Sequence, residues 1–489
     1  MLSIKNRGKE HRAANAKFAN SDAPSVSPMG FWVNPDRTLR YRVIKIPFTK
    51  MAKPSAVSAG EPNCAQAIGR ALAPIVTGAA VLYNFVLCFV NTNLFGITPD
   101  VVVSSEIMLI GMAFGLIWNC SIRLYEILLL LAAYFFIVML FRSQFDPKIV
   151  RDLLIPIMFF FMGRYLGSLR SADRLVTLLI LIALGAALFE WLAPDTYLRY
   201  FDVRSYYIAR GTATTVGDDH FWGGFFNSYR GEARTLLPFL GEHRVSGIFL
   251  EAPSVGNFAA IVFAWALLRD SRRFWALVAK SVVIAAMVVA ADARFGLYFC
   301  CFIMALYVAT PVIGSIVRPT MLLIAPFLAM IALVTYAGIS WQQTAGNDLS
   351  GRISFAGTFL NDLDPAQVFG IQALDIKSGV QFAMNAVTDS GYAYLLMEVG
   401  LFGMAAIWAL FVYSPVHDRH AWRFKNVVAF YFAVLLTISV GVFTIKTAAL
   451  LWFLYGTLNN PNRGVWAGAF GKASAPVGRG LTPRQGSVQ

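Results

Sequence analysis

Three arginines stand in three separate segments of this chain, each among residues that suit anion recognition. Arg244 lies in Glu242-His243-Arg244-Val245-Ser246-Gly247, Arg294 in Asp292-Ala293-Arg294-Phe295-Gly296, and Arg352 in Ser350-Gly351-Arg352-Ile353-Ser354. A guanidinium is a planar fork of donors that meets phosphate oxygens in pairs. Each arginine alone fits a snorkelling anchor at a membrane surface equally well. Brought to one face, the three could converge on a diphosphate, as arginine clamps do on phosphoryl groups. Upstream of Arg244 the chain interleaves Arg199, Arg204, Arg210, Arg230 and Arg234 with Tyr206, Tyr207, Phe221, Trp222, Phe225, Phe226 and Tyr229. Aromatic faces offer platforms for the C–H face of a sugar ring, while a polar rim binds its hydroxyls. That segment suits a substrate both phosphorylated and glycosidic, with Arg210, Arg234, Trp222 and His243 as candidate contacts. The alternative is a folded loop whose aromatics rest in the membrane interface. Glu251 and Asp389 close the two polar segments, whereas Glu106, Glu190 and Glu398 lie inside apolar runs and call for hydrogen-bonding partners.

The elements that position these residues are spans of a bilayer. The 489 residues are 57% hydrophobic and only 14% charged, against about 25% charged in a soluble domain. The excess comes as long uncharged runs, which predict a polytopic, all-α bundle and exclude an outer-membrane barrel of alternating strands. Twelve spans are predicted, near 71–92, 101–120, 124–141, 150–168, 175–193, 252–268, 274–291, 295–314, 319–338, 390–412, 426–443 and 446–458. Residues 1–70 form a basic, largely disordered tail and 459–489 a second basic tail, flanking a membrane domain over 71–458. No apolar stretch stands where a cleavable signal peptide would, so the first span starts insertion.

The net charge of +14 has to be apportioned by side of the membrane. The links that hold Arg123, Arg170, Arg174, Arg269, Arg272, Arg273, Arg318, Arg419, Arg423 and Lys425 fall on the same side as both tails. By the positive-inside rule that side is cytoplasmic. The two long loops, near 194–251 and 339–389, then face outward, each roughly 50 to 60 residues against the usual 2–8, which marks them as functional. No phosphate-binding glycine loop, nucleotide motif or nucleic-acid motif is present. The five cysteines make neither a zinc-ligand spacing nor a disulfide framework, so no metal is expected. No internal repeat is visible, which weakens a transporter reading.

Four features in this order resemble the integral-membrane O-antigen polymerase and ligase superfamily, a branch of the C-type glycosyltransferases. They are His243-Arg-Val-Ser-Gly-Ile-Phe-Leu-Glu-Ala-Pro253 before a span, Ala293-Arg-Phe-Gly296 in a turn, Ser350-Gly-Arg-Ile353 in a long loop, and Asp389-Ser-Gly-Tyr392 with Glu398-Val-Gly-Leu-Phe-Gly403 opening the next span. The resemblance covers roughly 70–458. It implies about twelve helices with an active site at the outer face of a bacterial inner membrane. It also implies a donor glycan on undecaprenyl diphosphate, transferred to a sugar hydroxyl without metal, nucleotide or other cofactor. By position, Arg244, Arg294 and Arg352 would bind the diphosphate and stabilise it as leaving group. Glu251 and Asp389, with His243 behind them, would handle the acceptor's proton. Ligases of this group usually carry a histidine near the start of the helix where this chain reads Asp389-Ser390. The departure favours an exopolysaccharide or capsule polymerase, with a chain-length regulator and a flippase of the same pathway as expected partners. A ligase of the same fold, and a flippase or transporter for the lipid-linked unit, are the alternatives.

Overall fold

The computed structural model describes residues 64–142, 147–211, 221–226, 228–229, 242–271, 273–313, 319–339, 349–371, 390–414, 419–439 and 441–460. Five helices come first: α1 (Cys64–Asn93), α2 (Pro99–Ile117), α3 (Ile122–Phe141), α4 (Pro147–Leu166) and α5 (Leu169–Leu192). Two short helices, α6 (Pro194–Tyr200) and α7 (Val203–Ala209), lead to a hairpin of β1 (Phe221–Trp222) and β2 (Phe225–Phe226). Then follow α8 (Ala252–Asp270), α9 (Phe274–Ala290), α10 (Arg294–Ile313), α11 (Pro319–Ile339), α12 (Leu349–Asn361) and the single turn α13 (Pro365–Val368). The last are α14 (Gly391–Tyr413), α15 (Arg419–Ile438) and α16 (Ile445–Leu458).

Among the described residues seven helices, α1, α2, α3, α5, α8, α11 and α14, are long and apolar enough to cross a membrane. A helix falls on every segment predicted as a span, but the others are less clear-cut. Helix α4 carries Lys148, Arg151, Asp152 and Arg164, and α15 opens on Arg419, Arg423 and Lys425. Helix α16 has 14 residues, about 21 Å of rise against the ~30 Å of a hydrocarbon core. Starts are set by local chemistry. Ser121 accepts the Arg123 amide at 3.2 Å, Ser168 and Ser171 form a reciprocal cap, and Pro99 opens α2 where its missing N–H costs nothing. Helix α1 begins at Cys64, ahead of the predicted 71, because Ala65, Ala67, Ile68 and Ala71 extend its helix-favouring face into the supposed tail.

The bundle is inverted relative to a soluble one. Every residue of α16 is buried and nearly all of α8, while α2 and α3 turn Ile107, Met108, Leu129, Leu130 and Phe136 outward. An apolar outer surface around packed central helices is what lipid solvates at no cost. Helix α16 reaches α4 through glycines. A Cβ on Gly456 would lie 2.0 Å from the Phe160 carbonyl, and one on Gly163 2.1 Å from the Phe453 carbonyl. Backbones approach this closely only where small residues meet. Gly456→Ala is therefore expected to destabilise the bundle by about 1–3 kcal/mol, read as a lower unfolding temperature in detergent.

Both long loops hold more structure than the sequence predicts. The first contains α6, α7 and the hairpin, whose Gly223 and Gly224 both take positive φ (55° and 98°), the geometry of a tight two-residue turn. In the second, α12 folds back on α11, with Gly357 against the Leu333 carbonyl. Helix α14 is broken at Gly400 (φ 65°, ψ 174°). The break frees carbonyls that α3 satisfies. Arg142, just past its end, donates to the carbonyls of Gly370 (2.6 Å), Glu398 (3.2 Å) and Met397, and Tyr134 donates to that of Val399. The Glu398 carboxylate lies 3.8 Å from Arg142, which supplies the partner its position in an apolar run requires. Irregular backbone inside a membrane bundle is tolerated where protein groups complete its hydrogen bonds.

Candidate functional site

The segment 242–251 is built around one buried carboxylate. Glu190, fully buried near the end of α5, accepts from the Ser246 amide (3.0 Å), the Ser246 hydroxyl (3.1 Å) and the Gly247 amide (2.5 Å). His243 Nε2 lies 2.9 Å from the same carboxylate. His243 is thus a strut between the loop and α5, with its ring 4.3 Å from that of Phe225. Replacing Glu190 by alanine leaves two buried amides without an acceptor, at about 1–3 kcal/mol each. The expected results are lower stability and faster tryptic cleavage after Arg244, both readable on the purified protein.

Arg244 and Arg294 meet at the turn between α9 and α10. Arg244 donates through Nε to the Ala291 carbonyl (3.0 Å) and through a terminal nitrogen to the Asp292 carbonyl (3.3 Å). The backbones are stitched as well, since the Val245 amide donates to the Ala290 carbonyl at 3.2 Å. Arg294 opens α10 with 41% of its side chain exposed and Nε 3.8 Å from the Asp292 carboxylate. Among the described residues, Leu250 and Asp292 are the non-glycine residues with positive φ (60° and 43°). One immediately precedes Glu251 and the other stands two before Arg294. Strained backbone of this kind costs about 1–3 kcal/mol per residue and persists where surrounding structure fixes it.

Glu251 is the N-cap residue of α8, yet its carboxylate caps nothing. It accepts instead from the Lys446 ammonium and from the Ser254 hydroxyl. Lys446, in the first turn of α16, is a buried ammonium. Burial pushes the Glu251 carboxyl up, and Lys446, Ser254 and the nearby Arg210 more than reverse that, holding it below the usual carboxylate range. Arg210 follows α7, where Tyr206 donates to Asn84 of α1 at 2.6 Å. A second charged group lies among α1, α2, α4 and α14. Tyr83 and Arg151 both donate to Glu106, Arg151 reaches Asp152 at 2.8 Å, and Tyr394 donates to Asp152 at 3.0 Å. Among the described residues no cluster of His, Cys, Asp and Glu is disposed to hold a metal.

These groups gather at one end of the bundle. Asn93 and Thr92, closing α1, bond the Tyr200 carbonyl and the Asp202 amide at 2.8 Å each. Helices α8 and α10, which start at this end, touch at Gly256 and Gly296, where a Cβ on Gly256 would come within 3.3 Å of the Gly296 backbone. Of the predicted residues, Arg244, Arg294, His243, Glu251 and Arg210 are thereby brought to one region. Arg352 lies on α12 and Trp222 on β1, but their side chains fall outside the described residues, as do Arg234 and Asp389 altogether. Of the expected sugar platforms Tyr229 is exposed, the side chains of Phe221 and Trp222 fall outside the described residues, and the other four are closed. Tyr206, Tyr207, Phe225 and Phe226 are buried, with Phe226 stacked on Tyr207 at 4.0 Å between centroids. These aromatics form the loop's own core, because a loop this long needs apolar burial to fold.

Sequence reasoning missed Lys446, Arg151 and Asp152. The signal was available, since a charge inside an apolar run costs roughly 2.5–3.5 kcal/mol unless something holds it. Comparison with protein-family models, with curated proteins and with solved structures finds no match to this chain, and it is a helical protein with membrane-compatible spans that the fold alone identifies.

Proposed function

We propose that this chain is a polysaccharide repeat-unit polymerase of the inner membrane, with about twelve spans and both termini in the cytoplasm. It transfers an undecaprenyl-diphosphate-linked glycan to a sugar hydroxyl at the outer face. The observation that carries the reading is the joining of Arg244 and Arg294 at one turn, at the end of the bundle where Glu251 starts α8. Two guanidinium groups suit a diphosphate leaving group, and an adjacent carboxylate suits an attacking hydroxyl. In the reaction the acceptor oxygen bonds the anomeric carbon as the bond to the diphosphate oxygen breaks. The electron pair leaves on the diphosphate, and the hydroxyl proton passes to a base.

A flippase is the second reading, favoured by the charges of Glu106, Arg151 and Asp152 within the helices and by the break in α14. Those charges satisfy one another, Arg151 pairing with both Glu106 and Asp152. The deciding experiment compares the lipid-linked glycans of cells with and without the protein, by mass spectrometry and gel ladder. Single units accumulating at the outer face, with long chains lost, mean polymerase. Long chains still lipid-linked mean a ligase of the same fold, and units trapped on the cytoplasmic face mean flippase.

A further inference from the structure

Lys446 and Glu251 make an unusual pair. The Lys446 side chain is 8% exposed and that of Glu251 24%, so the acid is the more accessible member of the pair. Lys446 lies in the first turn of α16, where unbonded amides already favour negative charge. Glu251 gives up its own capping position to reach it. A carboxylate that satisfies a buried cation while part of its own side chain stays accessible is a stand-in that another anion can displace.

We infer that Lys446 is a ligand for the substrate's diphosphate, and that Glu251 occupies it until substrate arrives. The inference rests on the polymerase reading and extends it to an order of events. A diphosphate oxygen takes the ammonium, and Glu251 is released without its cation. A carboxylate that loses a neighbouring positive charge holds a proton more tightly. Glu251 then accepts the proton of the acceptor hydroxyl as the new glycosidic bond forms and the anomeric bond to diphosphate breaks. The acid is thus a competent base only when donor is bound. An empty enzyme keeps the carboxylate committed and exposes no activated base to water.

The test is a titration of the purified full-length protein in nanodiscs with undecaprenyl diphosphate and, separately, with inorganic diphosphate. Glu251→Gln removes the competing anion and is expected to tighten diphosphate binding, whereas Lys446→Gln is expected to weaken it, each by roughly ten- to a hundredfold for a charge-assisted contact. A purely structural pair would lose affinity, or lose nothing, in both variants. Should Glu251→Gln fail to fold because its lysine is left buried and unpaired, the Glu251→Gln/Lys446→Gln double variant removes both charges. It is expected to bind as weakly as Lys446→Gln. Binding in Glu251→Gln no tighter than wild type, or wild-type binding in the double variant, overturns the inference. The two ligands separate this outcome from failure of the polymerase reading. The opposed shifts with inorganic diphosphate, without preference for the undecaprenyl form, keep the exchange and reject the lipid-linked substrate. Tight undecaprenyl binding without opposed shifts does the reverse.

Discussion

Replacing Arg294 by alanine is expected to cut chain elongation by about 10²–10³-fold, the effect of deleting one donor aimed at a developing negative charge. The protein should insert and unfold as wild type does. The side chain is 41% exposed and its recorded contact is a 3.8 Å approach to Asp292, so little of the fold depends on it. Arg244 is a poorer probe, since it also bonds two carbonyls of the α9–α10 turn and its loss would loosen that turn. Glu251→Gln should cost less than Arg294→Ala, because a diphosphate leaves as a stabilised anion and positioning outweighs proton removal. Arg294→Lys keeps the charge without the fork and should fall between. The check is gel-ladder chain length in complemented cells, together with in-vitro elongation and detergent unfolding on the same preparations. Normal ladders from well-expressed Arg294→Ala would sink the diphosphate clamp.

The largest loss of stability is expected at Arg142. Its guanidinium, with 3% of the side chain exposed, serves the carbonyls of Gly370, Met397 and Glu398. Alanine there strands those acceptors at a break in a helix, at about 1–3 kcal/mol for each buried group. A total near 3 kcal/mol or more is a large share of the margin a folded domain usually holds. Lysine keeps the charge but cannot reach three carbonyls from one plane, so Arg142→Lys should recover only part. Thermal unfolding in detergent measures both. Unchanged stability in Arg142→Ala would mean that the break at Gly400 supports itself.

The helical segments, seven of them long and apolar enough to cross a membrane, were legible in the sequence, because they stand there as long uncharged runs. Arg244 bonds the turn that leads into Arg294, an approach that the sequence offered only as an expected convergence of three arginines. Three things were not legible. The aromatics of the first loop looked like binding platforms, and Tyr206, Tyr207 and Phe226 turn inward because composition alone does not say which face of a loop is buried. The break at Gly400 was hidden in an apolar run, since its support comes from Arg142, more than 250 residues earlier in the chain than Glu398. The role of Lys446 left no mark in the sequence, for its partner Glu251 stands 195 residues away. Long-range pairing of this kind leaves no periodic trace.

Helix α16 is the most buried of the described helices and also the last to be synthesised. Until it emerges, Gly163 of α4 and Gly167 just past it lack the Phe453 and Thr457 atoms they pack against, and Glu251 lacks Lys446. The helices made before it therefore lack their centre, and one late event closes the bundle and completes the charged pair. Chains that stop before residue 445 should accordingly be less stable, and more readily degraded, than chains that carry α16.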